Sequence, residues 1–505
     1  MIMDNYTLSY QFTGFKQHHH QYFMKVLLVG FCLLFFTTGL FAQSYSQYNT
    51  GTLYDSFENP SQKSFTPDSS RMFATNFLIP NIDGNFFLRG NAQQTVKSRY
   101  FNGDYNNKNL VVGPGNNYNY LNGSANAYEL MFKMFTSLNG NTEVGFFIQS
   151  KATIRGTITD ESAALFDGST SFPNNSYSNV FNSRYNYQIY NQTGFTYREQ
   201  VTKQLAVGIK LAYVSGSFDG DVNIQQSGIT YDKPNDTATL YLKGVNREVG
   251  SLNERLFKNP GMSASIGATY VTDDKFSIQG NIKDLGFIYW NRFTKDYNFN
   301  SSATIYDLTS TERETAAYDA YNAITTSSTT AGNGKSTNYT TPLDGTAELS
   351  VSKSFWVDNN NLIKYSPTLI ASKELFYNSF IGVWVNPVQY ENYTVTLTAS
   401  YDDLKIFNLG GQFMIKSPNA EFFIGSDKLA QSANLLESQL KSHTAINATG
   451  AFTGGDIFIG FSMKFGPVIE HPMNASVIPL GEEKGFLGRI WDKLFNPNVG
   501  TIQNY

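Results

Sequence analysis

The feature of this sequence that most constrains its fold is the alternation between residues 262 and 290, MSASIGATYVTDDKFSIQGNIKDLGFIYW. In the first half, apolar residues such as Met262 and Ile266 fall on one side, and small or polar residues fall on the other. A period of two is typical of β-strands. The polar turn at residues 272–275 and the renewed alternation from Phe276 predict an antiparallel hairpin with one apolar and one polar face.

A hairpin of this kind suits two classes of protein. In a transmembrane β-barrel the apolar face meets lipid and the polar face lines an interior, whereas in a soluble β-sandwich the apolar face packs inward. Of the 505 residues, 15% are aromatic and only 15% are charged, against roughly 25% charged in typical globular domains. This composition favours strands with wet faces and aromatic rims. The net charge of −4 argues against a nucleic-acid partner, because phosphate binding needs clustered Lys and Arg.

The start of the chain has the pattern of a secretory signal peptide. After Lys25 comes an apolar core, and small and polar residues lead to Ala42. We predict a signal peptide at residues 24–42, cleaved between Ala42 and Gln43, and we interpret residues 1–23 as a mis-called extension. The apolar core is shorter than the ~20 residues that a membrane-spanning helix needs. The only cysteine lies within this signal peptide, so the mature chain would contain no thiol.

The rest of the chain continues the strand pattern. Alternating segments at 127–155, 184–214, 362–426 and 456–465 predict an all-β protein, an antiparallel transmembrane β-barrel of roughly 12–14 strands over residues 71–466. The long polar stretch at 294–345 predicts an extracellular loop.

Two segments flank this predicted barrel. Residues 43–70 are polar and turn-rich, with a bend at Asn59-Pro60. We interpret them as an entry segment and suggest the barrel interior as its location. Residues 467–505 form a C-terminal tail with a short amphipathic helix near 482–494. The periplasm, the membrane surface and the lumen stay open as locations for this tail.

Basic residues recur on the polar faces of the predicted strands. Along each strand these basic residues alternate with apolar residues, and small residues separate them on the polar face; they are Lys151, Arg155, Lys210 and Lys283. Charged side chains on a strand face are awkward in a sandwich core and natural in a barrel lumen. We therefore expect these four residues to line the lumen.

One strand end carries a specific motif. Asp284-Leu285-Gly286-Phe287-Ile288, followed by Trp290, reads DLGFI-x-W, and an Asn59-Pro60 turn and a signal ending in Ala42-Gln43 accompany it. In these features the chain resembles a family of outer-membrane β-barrel proteins of unknown function from Bacteroidota, distantly similar to FadL-like and PorV-like barrels. The resemblance implies an outer-membrane location and leaves the chemistry open. In physical terms, Asp284 and Gly286 suit a bulge or turn, while Phe287, Ile288 and Trp290 suit anchors at the rim, with ligand contact as the alternative role.

The sequence contains no recognisable catalytic arrangement. No Ser-His-acid spacing and no phosphate-binding glycine loop occur, so we predict a protein that is not an enzyme and that has no cofactor or metal. The first hypothesis is a passive transporter or channel for small or hydrophobic solutes, surrounded by outer-membrane lipid. The second is a structural or assembly barrel that binds another envelope or secretion component. The third is a soluble secreted β-protein such as an adhesin.

Overall fold

The structure is a computed structural model that describes residues 50–113, 117–136, 142–250, 258–327, 334–377, 379–402, 405–440, 452–470 and 485–495. The predicted N-terminal extension, the signal peptide at 24–42 and its cleavage site at Ala42 and Gln43 lie outside the described residues. Among the helices of the described part, none is long and apolar enough to cross a membrane.

The described part of the chain is mostly antiparallel β-structure, which confirms the predicted fold class at that level. The first strands are β1 Arg71–Thr75, β2 Asn81–Arg89, β3 Tyr118–Phe135, β4 Thr142–Thr159, β5 Ser176–Ser178, β6 Arg184–Gln200, β7 Leu205–Asp232, β8 Thr237–Gly250, β9 Pro260–Val271 and β10 Phe276–Tyr306. The later strands are β11 Lys335–Pro342, β12 Thr346–Lys353, β13 Phe355–Trp356, β14 Ile363–Tyr365, β15 Thr368–Glu374, β16 Phe380–Tyr390, β17 Tyr393–Asp402, β18 Phe407–Lys416, β19 Ala420–Ser426 and β20 Thr453–Val468. The helices are α1 Leu53–Glu58, α2 Gln93–Asn102, α3 Asp160–Leu165, α4 Arg313–Thr325, α5 Leu429–Leu440 and α6 Phe486–Phe495.

These strands pair into a closed ring. From β3 the pairing passes through β4, β6, β7, β9, β10, β12 and β15. It continues through β16, β17, β18, β19 and β20, and β1 and β2 connect β20 back to β3. In the described residues the ring sheet has 16 strands. Two pairs of strands each occupy a single position in the ring, β1 with β2 and β8 with β9. One circuit of the wall therefore crosses 14 strands, and the sequence predicted roughly 12–14.

The wall of this ring has an apolar outer face and a polar inner face. Leu211 is 58% exposed and Ile266 is 55% exposed, whereas their strand neighbours Lys210 and Ser265 are each 2% exposed. The side of each strand that alternation marked as apolar therefore points away from the interior of the ring. Tight turns at 201–204, 272–275, 391–392 and 417–419 lie at one end of the wall, here called the short-turn end.

Residues 50–66, here called the plug, lie inside the ring. All six residues of α1 are buried, and Leu53, Tyr54 and Phe57 belong to the same apolar cluster as inward side chains of the wall. The plug makes hydrogen bonds to strands on several sides of the ring, including β2, β6, β10 and β19. A segment that touches opposite parts of a closed wall occupies its interior.

Several strands continue far beyond the ring at the opposite end and form a second body, here called the cap. The strands β7 and β10 have 28 and 31 residues, whereas about 9–11 residues suffice for a tilted transmembrane strand. Their distal halves pair with β8, and α4 packs on this sheet around an apolar core that includes Leu240, Phe299 and Ile324. The predicted loop at 294–345 is therefore wrong as to structure, since β10 runs through to Tyr306 and α4 and β11 follow it.

Candidate functional site in the lumen

The inner surface of the wall is organised by a bulge in β10. Opposite β9 the register shifts between Ile282 and Leu285, and Asp284 has a φ of 48°, in the left-handed region that Asp tolerates better than most residues. Lys283 and Asp284 are both buried as a result, although they are consecutive. The bulge thus brings a cation and an anion to the lumen side by side.

The bulge also reverses which residues of β10 face inward. Before it, Ile278 and Ile282 are exposed on the outer face; after it, Leu285 and Phe287 are exposed, at 50% and 46%. Ile288 and Trp290 are fully buried and pack with Tyr190, Val214, Val249 and Leu343. The expectation that Ile288 and Trp290 anchor the rim is therefore wrong, because the extra residue turns them into the interior; the predicted bulge at Asp284 is present.

Asp284 forms an ion pair with Lys151 of β4. Gln192 of β6 donates to the Asp284 carboxylate over 3.2 Å, and the Asp284 backbone amide donates to Ser265 over 2.9 Å. The Lys151 and Asp284 side chains are only 16% and 4% exposed. Such a shielded, hydrogen-bonded pair holds β4, β6, β9 and β10 in fixed positions around the lumen.

Lys283 connects the wall to the plug. Its ammonium lies 3.2 Å from the Glu348 carboxylate of β12 and 4.0 Å from the Glu58 carboxylate at the end of α1. Lys151 and Lys283 attract Glu58 and, together with Lys210, hold the pKa of Glu58 below its ordinary value despite its burial. The plug therefore carries a charged carboxylate that the wall neutralises.

Lys210 completes this cluster through a chain of hydrogen bonds. Its ammonium donates to the Tyr128 hydroxyl over 2.8 Å and to Gln149 over 3.1 Å, and Tyr128 donates to Glu58 over 2.8 Å. The same ammonium lies 4.5 Å from the centre of the Phe147 ring, at a cation–π distance. The structure thus brings together Lys151, Lys210 and Lys283 and balances them with Glu58, Asp284 and Glu348.

Arg155 also has acidic partners, which are half-buried, but it stands apart from this cluster. Its guanidinium bonds Asp344 over 2.8 Å and Glu374 over 3.0 Å, and it lies 4.1 Å from the centre of the Tyr377 ring. These partners belong to the connection after β11 and to the end of β15. Arg155 fastens these connections at the cap side of the ring.

Asn59 and Pro60 form the turn at which the plug meets β7 and β9. Asn59 accepts hydrogen bonds from the backbone and side chain of Ser61, and its amide donates to Gln279 over 3.0 Å. The wall approaches this turn at Gly208 and Gly267, which pair across β7 and β9. An added Cβ at Gly208 would lie 2.0 Å from the Pro60 carbonyl oxygen, and one at Gly267 would lie 2.3 Å from the Asn59 side chain. Only glycine fits under the turn.

The sequence pattern did not predict roles for Glu58, Glu348, Tyr128 and this pair of glycines. Glu58 precedes the Asn59-Pro60 bend, and both glycines occupy the polar side of strongly alternating strands. Glycine in the interior of a strand marks a close approach of another backbone, and this was the available signal. In the described residues, no group of three or more His, Cys, Asp or Glu side chains has the geometry of a metal site.

Comparisons with known proteins identify one family and several distant structural neighbours. The family of unknown function DUF5723 matches residues 70–427. The Pseudomonas putida toluene transporter TodX is similar in structure at 9% sequence identity and a TM-score of 0.37, covering 81% of this chain and 93% of that one. A Pseudomonas aeruginosa FadL homologue is similar at 8% identity and a TM-score of 0.28, covering 78% of this chain and 90% of that one. Among curated proteins, none matches the sequence.

Proposed function

This chain belongs to the family of unknown function DUF5723, and we propose that it is an outer-membrane β-barrel through which small or hydrophobic solutes pass when the plug moves. The observation that carries this proposal is the plug itself, a mainly polar segment enclosed by the wall and bound to it through hydrogen bonds, the Lys283–Glu58 ion pair and the apolar contacts of α1. A constitutively open pore does not fit a lumen occupied in this way. Transport with a movable plug does.

The faces of the wall support the membrane location. An outer surface of exposed Leu, Ile and Phe is costly in water and favourable in lipid, and the buried polar residues of the inner face give an interior that tolerates water. Export through the predicted signal peptide at 24–42 belongs to this proposal, as does an origin in Bacteroidota. Outer-membrane lipid is then the surrounding medium of the ring.

The order of layers along the lumen supports the solute class. Ile288 and Trp290 follow the bulge of β10 toward the cap and pack with Tyr190 in an apolar layer that contains two aromatic rings, while the plug lies toward the short-turn end. Trp290 stacks on Tyr339 at 6.3 Å between ring centres. An aromatic layer suits apolar or aromatic solutes, whereas the paired charges below it make passage of a bare ion unfavourable.

Locking the plug tests this proposal. The hydroxyl oxygens of Ser61 in the plug and Thr269 in β9 lie 2.7 Å apart, so Ser61→Cys combined with Thr269→Cys is placed to form a disulfide. In proteoliposomes, we expect uptake of a small aromatic solute to be lost in the oxidised double variant and regained on reduction. The single variant Ser61→Cys is the control and should not respond to the reductant. Equal uptake in the oxidised and reduced double variant would contradict a movable plug.

The cap supports a second candidate function, a barrel that binds another envelope or secretion component. A projection with its own apolar core, built on β7, β8, β10 and α4, is more structure than loop closure requires. Purification in mild detergent separates the two candidates: a stoichiometric partner that is lost when the cap core is disrupted by Ile324→Asp favours assembly. A monomer that still takes up solute favours transport.

A third alternative, a soluble secreted protein, is tested by cell fractionation. We expect the protein in the membrane fraction, with heat-modifiable gel mobility. Recovery in the soluble fraction without detergent would contradict both barrel functions.

A further inference from the structure

The helix α6 is attached to the outer face of the wall at the short-turn end. The Glu199 carboxylate accepts hydrogen bonds from the backbone amides of Leu487 over 2.8 Å and Gly488 over 2.7 Å, and Tyr197 donates to it over 2.7 Å. Glu199 is 1% exposed. A carboxylate at this position satisfies free amides of the first turn and interacts favourably with the helix dipole. The start of α6 is therefore fixed to the wall.

The register of β6 shows on which side this attachment lies. Gln192, Thr196 and Arg198 are buried toward the lumen, and Arg198 donates to the Ser61 carbonyl of the plug over 2.9 Å. Phe195, on the opposite face, is 63% exposed. Tyr197 and Glu199 share that outer face because no register shift separates them from Phe195. The start of α6 therefore lies on the outer side of the wall, next to the end of the outer face of β6 that carries Phe195.

The helix presents an apolar side next to cationic residues. Phe486 is 61% exposed and Ile490, one turn later, is 40% exposed. Arg489 and Lys493 are also exposed. An exposed apolar stripe with basic residues beside it is the pattern of a helix that lies in the interface of a membrane with anionic lipid.

We propose that α6 is an interfacial anchor that lies in the headgroup layer on the short-turn side, with Phe486 and Ile490 in the acyl region and Arg489 and Lys493 on anionic phospholipid headgroups. Two observations select lipid as the occupant: the continuity of the helix with the outer face of the wall, and the positive charge beside its apolar stripe. This inference rests on the proposed membrane location of the ring.

Site-directed spin labelling in vesicles tests the proposal. Labels introduced by Phe486→Cys and Ile490→Cys, in a background without the native Cys32, are compared with Asp274→Cys, an exposed turn residue at the same end. In vesicles of phosphatidylcholine with phosphatidylglycerol, we expect the first two labels to lose broadening by a water-soluble nickel complex and to gain broadening by oxygen. The Asp274→Cys label should show the reverse.

Two further measurements keep the outcomes distinct. A label from Leu211→Cys reports on the wall: if it is reached by oxygen while Phe486→Cys and Ile490→Cys stay open to nickel, the anchor is overturned and the barrel is not. If the Leu211→Cys label is itself open to nickel, the membrane location fails as well. In the Glu199→Ala background we expect faster motion of the Ile490→Cys label, and unchanged motion would contradict the attachment.

Discussion

Lys151 and Asp284 come from strands far apart in the sequence and meet on the inner face of the ring. The alternation of β4 places Lys151 on the polar side of the strand, because a period of two assigns a side to every residue of a regular strand. It did not predict the partner, because Asp284 owes its direction to a bulge that interrupts the alternation of β10. Likewise, Glu58 reaches Lys283 from a segment with no strand pattern. At the residue scale, the local sequence determines which way a side chain points, whereas the curvature of the ring determines which side chains meet.

Substitution of Asp284 tests the importance of this pairing. Asp284→Asn leaves the Lys151 ammonium without its ion-pair partner in a shielded site, where breaking one half of a pair costs about 3–5 kcal/mol. We expect the urea midpoint of the refolded protein in detergent micelles to fall accordingly. The double variant Asp284→Asn with Lys151→Met should recover part of the loss. Equal midpoints for Asp284→Asn and the unmodified protein would show that the pair does not contribute.

The plug contains a carboxyl group whose titration gives a pH dependence. Burial raises the pKa of Asp55 from 3.8 to about 7, although hydrogen bonds from Thr50 and Gly51 and the charge of Lys416 oppose the shift. Because the folded pKa lies above the unfolded one, its stabilising contribution is complete below pH 3.8 and is lost as the pH rises through about 7.

We therefore expect the thermal midpoint of the protein to be lower at about pH 8 than at about pH 5, with part of the difference removed by Asp55→Asn. Asp68→Asn, at an exposed position just beyond the plug, is the matched control and should keep the full difference. If Asp55→Asn has the same pH dependence as the unmodified protein, this carboxyl group is not the source.

At the scale of elements, the regular wall strands were predictable and the long ones were not. The segments near 205–214, 262–271 and 393–402 alternate without interruption and form wall strands as predicted. The distal half of β7 contains a register shift near Ile224, and β10 contains shifts near Asp284 and after Trp290, so the phase of alternation changes within one strand. A segment whose alternation changes phase resembles a loop in the sequence. For this reason the sequence did not predict the strands of the cap.

The fit between plug and wall can be tested at the glycine pair. Gly208→Ala places a methyl group against the Pro60 carbonyl, where no flexible side chain can yield, and we expect the Asn59-Pro60 turn to be displaced. Conductance in planar bilayers should then rise above that of the unmodified protein. Gly280→Ala is the matched control, since an added Cβ there meets nothing within 4 Å. The same conductance for both variants would contradict the assigned role of the glycines.

At the scale of the whole molecule, the ring separates an apolar outer surface from a polar interior. This separation was the main prediction from the sequence, and its observation rests on exposed residues such as Leu211, Ile266 and Leu397 and on buried ones such as Lys210 and Gln192. The sequence predicted a last strand at 456–465, within β20, but not its pairing with β1 and β2, because pairing of the first and last strands leaves no signal in either one. From the sequence, the barrel interior was the one place suggested for residues 43–70, without the wall residues that contact them.

A charge on the outer face distinguishes a membrane barrel from a water-soluble one. Leu211 is exposed, so Leu211→Arg would be nearly neutral in water, whereas an arginine on a lipid-facing strand costs about 2–4 kcal/mol at the bilayer midplane. We expect reduced folding yield in phospholipid vesicles, measured by heat-modifiable mobility. Asp274→Arg at a turn is the control and should fold normally. Equal yields for the two variants would contradict lipid contact at Leu211.

The plug precedes every strand that surrounds it in the order of the chain, and the first and last strands complete the wall. Biogenesis therefore follows one of two routes: it retains residues 50–66 within a partly built sheet until β20 arrives, or it threads them later through an already sealed cylinder. The first route gives the segment a role as a template: its buried carboxylates would gather lysines from successive strands before the seam forms. A chain lacking this segment would then be expected to assemble slowly, even where the finished product is stable.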